Sequence, residues 1–205
     1  MIEISHVHKA FGSHVILNDL NLTIKEGETK VIIGRSGTGK SVLLKNIIGI
    51  LSPDSGSIKI NGTEVTNLAE REYNKIRMQM GMVFQGGALF DSMNVAENVA
   101  FVLEEFMNID KKTVRTKVER CLGMVGLSGI EEMMPSELSG GMRKRVSLAR
   151  VLCMEPRIIF YDEPTTGVDP ITSDVINNLI VDLRHKLKVT SIVVDRKSTR
   201  LNSSH

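Results

Sequence analysis

The sequence predicts an α/β fold with a mostly parallel core sheet, an antiparallel β subdomain at the N-terminus and an inserted helical subdomain. Three observations support this architecture. Residues 1–33 have the apolar patterning of strands, residues 95–152 have mainly that of helices, and residues 157–194 return to strand, helix and strand. Apolar strands that alternate with helices are typical of a parallel sheet that is covered on both faces.

The N-terminal elements follow from their side-chain periods. The stretches "IEISHVHKAF" and "HVILNDLNLTI" alternate between apolar and polar residues, as half-buried strands do, and "ETKVIIG" is a continuous apolar run that ends at glycine. A helix is predicted from about Lys40 to Ile50 and is closed by "SPDSG". The segment "GSIKINGTEV" predicts a strand and a turn at Asn61-Gly62.

The second half of the chain begins with the strand-like "GMVFQ" and continues into a long helical stretch. That stretch is broken at "GLSG" and at "MPSELSGG". The strand "RIIFYDEP", the helix "ITSDVINNLIVDLRHKL" and the strand "VTSIVV" follow. We therefore expect one domain over residues 1–194, with the helical subdomain at about residues 90–150.

Length and composition exclude several classes of protein. A chain of 205 residues that is 41% hydrophobic has enough apolar side chains for a packed core. No apolar run approaches the roughly 18 residues of a membrane span, and the N-terminus lacks the layout of a signal peptide, so we expect a cytoplasmic chain. The formal charge of +2 is too small to indicate nucleic-acid binding. Cys121 and Cys153 have no metal-site spacing and are expected to be reduced core residues.

The strongest local signal is "GRSGTGKS", which fits the phosphate-binding (P-loop) pattern G-x-x-x-x-G-K-[ST], follows an apolar strand and opens a helix. Glycines let successive backbone N–H groups point at phosphate oxygens, and the helix N-terminus adds partial positive charge. Lys40 is expected to reach the β- and γ-phosphates, and the Ser41 hydroxyl to ligate Mg²⁺. The full pattern disfavours an ordinary glycine-rich turn. The predicted nucleotide-binding residues here are Gly34, Arg35, Ser36, Gly37, Thr38, Gly39, Lys40, Ser41 and Val42.

A second signal is the apolar strand in "RIIFYDEP", which ends in two acids. We expect this strand to lie beside the strand that precedes the P-loop and to deliver Asp162 to the Mg²⁺. Glu163, one residue further, is expected to polarise the water that attacks the γ-phosphate. Two acids after a strand are a weak signal by themselves, because strands often end in solvated acids. Together with the P-loop they become a strong one.

The pentapeptide "LSGGM", followed by the basic "RKR", separates one family from the many that share the two preceding motifs. It resembles the signature of ATP-binding cassette (ABC) ATPases, and the order of the other motifs agrees. Gln85 in "MVFQ" stands at the family's Q-loop, "TTGVDP" with Asp169 resembles its D-loop, and Phe11 stands where an aromatic ring stacks on adenine. The resemblance runs from residue 2 to residue 194. The signature residues are Leu138, Ser139, Gly140, Gly141 and Met142.

This resemblance implies ATP and Mg²⁺ as ligands and a dimer that holds two ATP molecules head to tail. Ser139 and Gly141 of one subunit would contact the γ-phosphate at the P-loop of the other, because "SGG" before a helix is a second anion-binding terminus. Two plainer interpretations stay open, namely "SGG" as an ordinary helix-capping turn and Phe11 as a core aromatic. The implied catalytic residues are Glu163 and Gln85, and the implied metal residues are Ser41, Gln85 and Asp162.

A transporter ATPase grips its membrane partner with the segment after the Q-loop, here residues 84–105. In that segment, "GALFDSMNVAENVAF" is similar to ATPases of lipid-transport systems with mammalian-cell-entry (MCE) proteins, such as the Mla phospholipid transporter. "MPSELSGGMRKR" and "DEPTTGVDPIT" agree, although Thr-Thr in the latter is closer to ABC proteins in general. The implied partners are a second ATPase subunit, an integral membrane permease and an MCE-domain lipid-binding protein, at the cytoplasmic face of the bacterial inner membrane.

Two alternatives to phospholipid transport stay open. The ATPase of another ABC importer, for amino acids or other small solutes, would also need this segment to pack its helical subdomain. ABC ATPases that act on DNA or ribosomes carry two cassettes in one chain, or long coiled-coil or zinc insertions. This sequence has one cassette, no heptads and no Cys/His cluster, so we expect no nucleic-acid partner.

The final stretch, residues 195–205, does not match what precedes it. In the resembling proteins the last strand continues into a loop whose histidine contacts the γ-phosphate, and that histidine should fall near residue 196, where this chain has Arg196. "DRKSTRLNSSH" matches, residue for residue, the translation of a common short-read sequencing adapter. We therefore expect a non-native tail, an incomplete C-terminus and slow ATP hydrolysis by the chain as written. Without this stretch the basic and acidic residues are equal in number.

Overall fold

The computed structural model describes residues 1–107 and 109–196. The strands are β1 (Ile2–Phe11), β2 (His14–Ile24), β3 (Thr29–Ile33), β4 (Ser55–Ile60), β5 (Thr63–Glu64), β6 (Met80–Val83), β7 (Ile158–Asp162) and β8 (Thr190–Asp195). The helices are α1 (Lys40–Ile48), α2 (Glu70–Arg77), α3 (Val95–Phe106), α4 (Lys111–Met124), α5 (Gly140–Cys153) and α6 (Pro170–Leu187). A short 3-10 helix, Pro135–Glu137, precedes α5.

The N-terminal sheet is antiparallel, as predicted, with the strand order β2-β1-β4-β5. Ile2 of β1 pairs with Ile24 on one side and with Ile60 on the other, and all three side chains are buried. The same apolar cluster includes Leu44 and Ile47 of α1. The apolar face of this sheet therefore packs near the helix that follows the P-loop.

The second sheet is parallel, with the order β3-β8-β7-β6. All six residues of β8 are buried, and so is β7 from Ile158 to Tyr161, which fits a sheet covered on both faces. One prediction was wrong: β7 does not lie beside β3, because β8 pairs with both of them. Parallel neighbours are joined by long crossovers, so the local pattern of a strand does not specify its neighbour.

Helices α3, α4 and α5 pack together as a helical lobe with an apolar core. Val99 and Leu103 of α3, Val118 and Leu122 of α4, and Val146 of α5 belong to one buried cluster. The predicted break at residues 126–129 falls between α4 and α5, and the one at residues 134–141 extends into the first turn of α5. The break between α3 and α4 was not predicted.

Helix α2 was not predicted from the apolar pattern, because most of its eight residues are polar. Its Tyr73 is buried, and the phenol hydroxyl donates to the Ile47 carbonyl at 2.6 Å. Arg77 donates to the carbonyl oxygens of Ile48 and Gly49 at 2.9 and 2.8 Å. Helix α2 thus satisfies carbonyl groups at the C-terminal end of α1, which a helix leaves without partners of its own.

Strand β8 includes Asp195, the first residue of the predicted tail, which pairs with Ile33 of β3. The Asp195 carbonyl accepts a hydrogen bond from the Gly34 N–H at 3.2 Å. The remaining tail residues from 197 to 205 lie outside the described part of the chain. None of the helices that the structure describes combines the length and the apolar character that a membrane span requires.

Candidate active site

The P-loop connects the end of β3 to the start of α1 through two glycines with left-handed backbone angles, Gly37 at φ 81° and Gly39 at φ 89°. A Cβ on Gly39 would lie 2.7 Å from Ile16 Cγ2 and 3.1 Å from the Ile16 carbonyl oxygen. Only glycine fits here, because β2 passes directly against the loop. Of the predicted phosphate-binding residues, Gly39 and Lys40 are buried, Gly34, Ser41 and Val42 are half-buried, and Arg35, Ser36, Gly37 and Thr38 are exposed.

Lys40 is the first residue of α1, and only 8% of it is exposed. Its ammonium group donates to the carbonyl oxygens of Gly34 and Arg35 at 2.6 and 2.8 Å. The Thr38 hydroxyl also donates to the Arg35 carbonyl, at 2.8 Å. The loop therefore curls around the lysine side chain and holds its charge at the N-terminal end of α1, where a phosphate would bind.

Ser41 of α1 and Asp162 of β7 are in contact, although β7 does not pair with β3, the strand that precedes the P-loop. The Ser41 hydroxyl donates to Asp162 Oδ1 at 3.0 Å, since α1 contacts β7 across the intervening strand. Burial raises the pKa of Asp162, and the hydrogen bond from Ser41 opposes the shift. A hydroxyl and a carboxylate at this distance are the hard oxygen ligands that Mg²⁺ takes at phosphate sites, where it keeps several waters. Within the described residues there is no group of three or more His, Cys, Asp or Glu residues that could hold a metal ion.

Glu163 is 6% exposed and has a left-handed backbone at φ 48°. Its N–H donates to the Val194 carbonyl at 2.9 Å, which ties it to the end of β8. The Thr166 hydroxyl donates to Glu163 Oε2 at 3.0 Å. A non-glycine residue with positive φ is uncommon, and such residues concentrate at functional sites.

Arg196 occupies the position at which a histidine was expected, and it contacts Glu163. Its Nε lies 2.7 Å from Glu163 Oε2. Burial alone would raise the pKa of Glu163, but the hydrogen bonds from Arg196 and Thr166 outweigh burial and lower it. The carboxylate that was predicted to polarise water is therefore held in an ion pair in this chain.

Gln85 and Phe11 are both accessible. Gln85 is exposed at the start of the loop after β6. Phe11 is 50% exposed at the end of β1, where it pairs with His14 across the hairpin, so the core-aromatic interpretation is wrong. Lys9 lies 5.6 Å from the centre of the Phe11 ring. An exposed ring on the hairpin whose second strand contacts Gly39 is placed for stacking on a base.

The signature residues surround the start of α5. Ser139 is the N-cap, and its hydroxyl accepts from the Met142 N–H at 3.2 Å. This cap is compatible with the signature role of these residues, which stays a prediction. Leu138 and Gly141 are buried, Gly140 and Met142 are half-buried, and Ser139 is exposed.

The D-loop residue Asp169 is the N-cap of α6. Its carboxylate accepts from the Thr172 N–H at 3.0 Å and from the Thr172 hydroxyl at 2.6 Å, and the side-chain hydrogen bond lowers the pKa of Asp169. A Cβ on Gly141 would lie 2.4 Å from Thr172 Cγ2. The start of α5 and the start of α6, which follows the D-loop, therefore pack closely within one chain, and this close approach requires glycine at position 141.

Three residues have clear roles in the structure that the sequence pattern did not indicate. The Asn98 side chain is fully buried and bonds the backbone of Phe90 and Met93, which shapes the loop between β6 and α3. Lys144 and Arg150 of α5 donate to backbone carbonyls of the same loop. No sequence pattern distinguishes such residues, because asparagine in a helix and basic residues in "RKR" are usually solvated.

Residues 17–166 match the family described as ABC transporter. The chain belongs to the ABC transporter family. Among curated relatives, "Probable ribonucleotide transport ATP-binding protein mkl" of Mycobacterium tuberculosis (strain CDC 1551 / Oshkosh) is 45% identical over 193 residues. That alignment covers 94% of this chain and 54% of the relative, so the chain spans about half the length of mkl.

Two further relatives carry different substrate names. "Intermembrane phospholipid transport system ATP-binding protein MlaF" of Haemophilus influenzae is 44% identical, covering 95% of this chain and 74% of the relative. "Methionine import ATP-binding protein MetN" of Clostridium tetani is 45% identical, covering 95% of this chain and 61% of the relative.

Solved ABC structures have the same fold. The structure of cbiO1 from Clostridium perfringens, described as part of the ABC transporter complex cbiONQ, superposes with a TM-score of 0.88 at 31% identity, covering 96% of this chain and 78% of that one. A dimeric structure of the ATP-binding cassette MJ0796 with ADP and Pi gives a TM-score of 0.86 at 33% identity, covering 96% and 88%. These likenesses confirm the predicted ABC ATPase fold.

Proposed function

We propose that this chain is the ATP-binding and ATP-hydrolysing subunit of an ABC transporter that moves phospholipid between bacterial membranes. The observation that carries the ATPase is the meeting of Ser41 and Asp162 at 3.0 Å, next to the buried Lys40 and Glu163. A P-loop lysine, a serine hydroxyl and an acidic pair at the end of a neighbouring strand are the parts that phosphoryl transfer to water requires.

The chain's own residues divide the work as follows. Residues 34–42 bind the phosphates through backbone N–H groups and the Lys40 ammonium. Phe11 stacks on the adenine. Glu163 orients and polarises the attacking water, and Gln85 lies beside the γ-phosphate. Ser41, Asp162 and Gln85 would hold Mg²⁺, and the ion would neutralise charge on the phosphates.

A second copy of the chain completes the site. In a single chain the start of α5 packs against Thr172, which follows the D-loop in α6, and Ser139 is exposed. Residues 138–142 of one subunit then contact the γ-phosphate at the P-loop of the other, and Asp169 of the D-loop lies beside them. The dimeric MJ0796 cassette with ADP and Pi supports this arrangement.

The membrane partners follow from the segment at residues 84–105. Two of its large apolar side chains, Phe84 and Phe90, are exposed, and so is Phe106 just beyond it. We assign this segment to contact with an integral permease at the cytoplasmic face of the inner membrane, with an MCE-domain lipid-binding protein in the same system. The MlaF relatives support phospholipid as cargo. We place the cassette at residues 1–194 and its helical subdomain at about residues 90–150.

The relatives also support a second candidate, an importer of a small solute. MetN is named for methionine and mkl for ribonucleotide transport, at identities similar to that of MlaF. Co-purification separates the candidates. The chain is expressed in bacteria with the permease encoded beside its gene, and the purified complex is tested for bound phospholipid. Recovery with a permease that binds methionine or a nucleotide instead would exclude the lipid assignment, and recovery with DNA or ribosomes would exclude transport.

The chain as written is proposed to hydrolyse ATP slowly. Arg196 stands in the place of the γ-phosphate histidine and pairs with Glu163 at 2.7 Å. A carboxylate in an ion pair is a weaker base toward water, and loss of one donor to the transition state costs on the order of a hundredfold in rate. Wild-type-like turnover by these 205 residues, compared with an intact MlaF-type ATPase, would contradict this.

A further inference from the structure

Lys144 is a charged side chain in a nearly dry position. It lies on α5, three residues after Gly141 of the signature, and only 8% of it is exposed. Lysine is almost never buried to this extent unless it is paired. Its ammonium donates to the backbone carbonyl of Gln85, the Q-loop glutamine, at 2.9 Å.

Several charges face Lys144 from the neighbouring elements. Burial lowers the pKa of Lys144, and the carboxylates of Glu163 and Asp195 oppose the shift. These two groups lie at the ends of β7 and β8, next to Arg196. The Lys144 side chain therefore extends from α5 toward the Q-loop and toward the carboxylates at the ends of β7 and β8.

Arg150, further along α5, makes a second contact with the same loop. Its guanidinium donates to the Gly87 carbonyl at 3.2 Å and lies 5.7 Å from the centre of the Phe90 ring. A Cβ on Gly87, whose φ is 80°, would lie 3.4 Å from the Arg143 carbonyl oxygen. Residues 85–90 thus lie directly on α5 and are fixed to it at two points.

We propose that Lys144 is a positioning residue that fixes the Gln85 backbone to the signature helix, so that the exposed Gln85 side chain is held toward Mg²⁺ and the γ-phosphate. This inference rests on the proposed function. A hydrogen bond to the Gln85 carbonyl sets the orientation of that peptide and so the direction in which the side chain leaves it. Any displacement of α5 then moves Gln85 with it. In the proposed dimer this couples the signature, which faces the nucleotide of the second chain, to the Mg²⁺ site of its own chain.

The test compares ATP affinity with and without Mg²⁺, measured by fluorescence titration of the full chain with a fluorescent ATP analogue. Lys144→Met keeps the length of the side chain and removes its donors. Because outer-shell partners of metal ligands contribute to metal affinity, we expect Lys144→Met to reduce the Mg²⁺-dependent gain in ATP affinity by about tenfold. The affinity in EDTA stays at the parent value, since the P-loop contacts are intact.

Two variants of the same helix serve as comparisons. Lys144→Arg keeps a charged donor and is expected to retain the Mg²⁺-dependent gain. Arg145→Met removes a neighbouring cation that donates to the carbonyls of Val125 and Gly126 inside the helical lobe, away from the Q-loop, and should also retain it. If Lys144→Met does not fold, as judged by circular dichroism, Lys144→Leu, which also lacks a donor, takes its place.

The possible outcomes are distinct. An unchanged Mg²⁺-dependent gain in folded Lys144→Met, or an equal loss in Arg145→Met, overturns the positioning role. A parent chain whose ATP affinity does not respond to Mg²⁺ overturns both this role and the proposed metal site. A parent chain that does not bind ATP overturns the proposed function itself.

Discussion

The two helices that begin at the nucleotide motifs, α1 and α5, have different N-termini. Helix α1 starts after Gly39 in a left-handed conformation and has no side-chain hydrogen bond at its cap. Helix α5 starts after Ser139, whose hydroxyl accepts the Met142 N–H. The first terminus is shaped by the loop before it and presents its N–H groups, and the second is already capped by its own side chain.

The two termini also differ in how many groups of the proposed nucleotide site each brings together within one chain. At the P-loop terminus, Lys40 donates to the Gly34 carbonyl at 2.6 Å, and the Ser41 hydroxyl donates to Asp162 at 3.0 Å. At the signature terminus, Gly141 packs against Thr172, near the start of α6 of the same chain. This difference fits our proposal that one terminus binds nucleotide within a single chain and that the other acts on a nucleotide held by a second chain.

The largest effect is expected from the P-loop terminus. Lys40→Met removes charge-assisted hydrogen bonds to phosphate that contribute about 1.5–3 kcal/mol, which is roughly 10- to 150-fold in ATP affinity, and it abolishes turnover. Titration with a fluorescent ATP analogue measures the affinity. Lys59→Met, an exposed lysine on β4, is the control and should bind as the parent does. Parent-like ATP affinity in Lys40→Met would contradict the P-loop assignment.

The next effect concerns the ion pair that opposes hydrolysis. Arg196→His replaces the guanidinium with the donor that the family has here, so we expect turnover to rise on the order of a hundredfold. Arg196→Ala frees Glu163 without supplying a donor, so its turnover should rise less. Arg196→Lys keeps a cation beside Glu163, so its turnover should stay slow. Steady-state phosphate release measures all three.

The same variants make a pH prediction. Arg196 lowers the pKa of Glu163, so its removal in Arg196→Ala raises that pKa. A base with a higher pKa is protonated earlier as the pH falls. The acidic limb of turnover against pH therefore moves to higher pH in Arg196→Ala, and a limb that stays in place would show that Glu163 is not the group being titrated.

The smallest effect is expected at the signature terminus. Ser139→Ala removes the cap of α5, which costs about 1 kcal/mol, so the midpoint of thermal unfolding should fall by about 3 °C. ATP affinity of the single chain should not change, because Ser139 contacts no nucleotide there. Ser136→Ala, an exposed serine outside the cap, is the control for both measurements. A loss of single-chain ATP affinity in Ser139→Ala would contradict the claim that the signature terminus takes no part in nucleotide binding within one chain.

Much of this contrast was predictable from sequence, because motif and context coincide. "GRSGTGKS" lies between a strand and a helix as its pattern requires, and "LSGGM" lies at a helix start. The order of the parallel strands was not predictable, since β8 enters between β3 and β7 through crossovers that no local pattern encodes.

Individual polar contacts were also beyond the sequence. Lys144 appears in a basic run that is typical of a solvated helix face, yet it is buried against the Gln85 carbonyl. Arg196 was expected only to lack the function of a histidine, and the structure adds its ion pair with Glu163. Both contacts depend on how distant elements are brought together, which side-chain periodicity does not report.

The most direct test of the central claim, that two chains share each nucleotide, is the mass of Glu163→Gln in saturating Mg·ATP by light scattering. Loss of the base should trap ATP, so a dimer is expected with ATP and a monomer without it. Adding Ser139→Arg places a bulky cation at the signature terminus and should keep the ATP-bound chain monomeric. A monomer for Glu163→Gln at full ATP occupancy, or a dimer that Ser139→Arg does not disturb, would contradict the account.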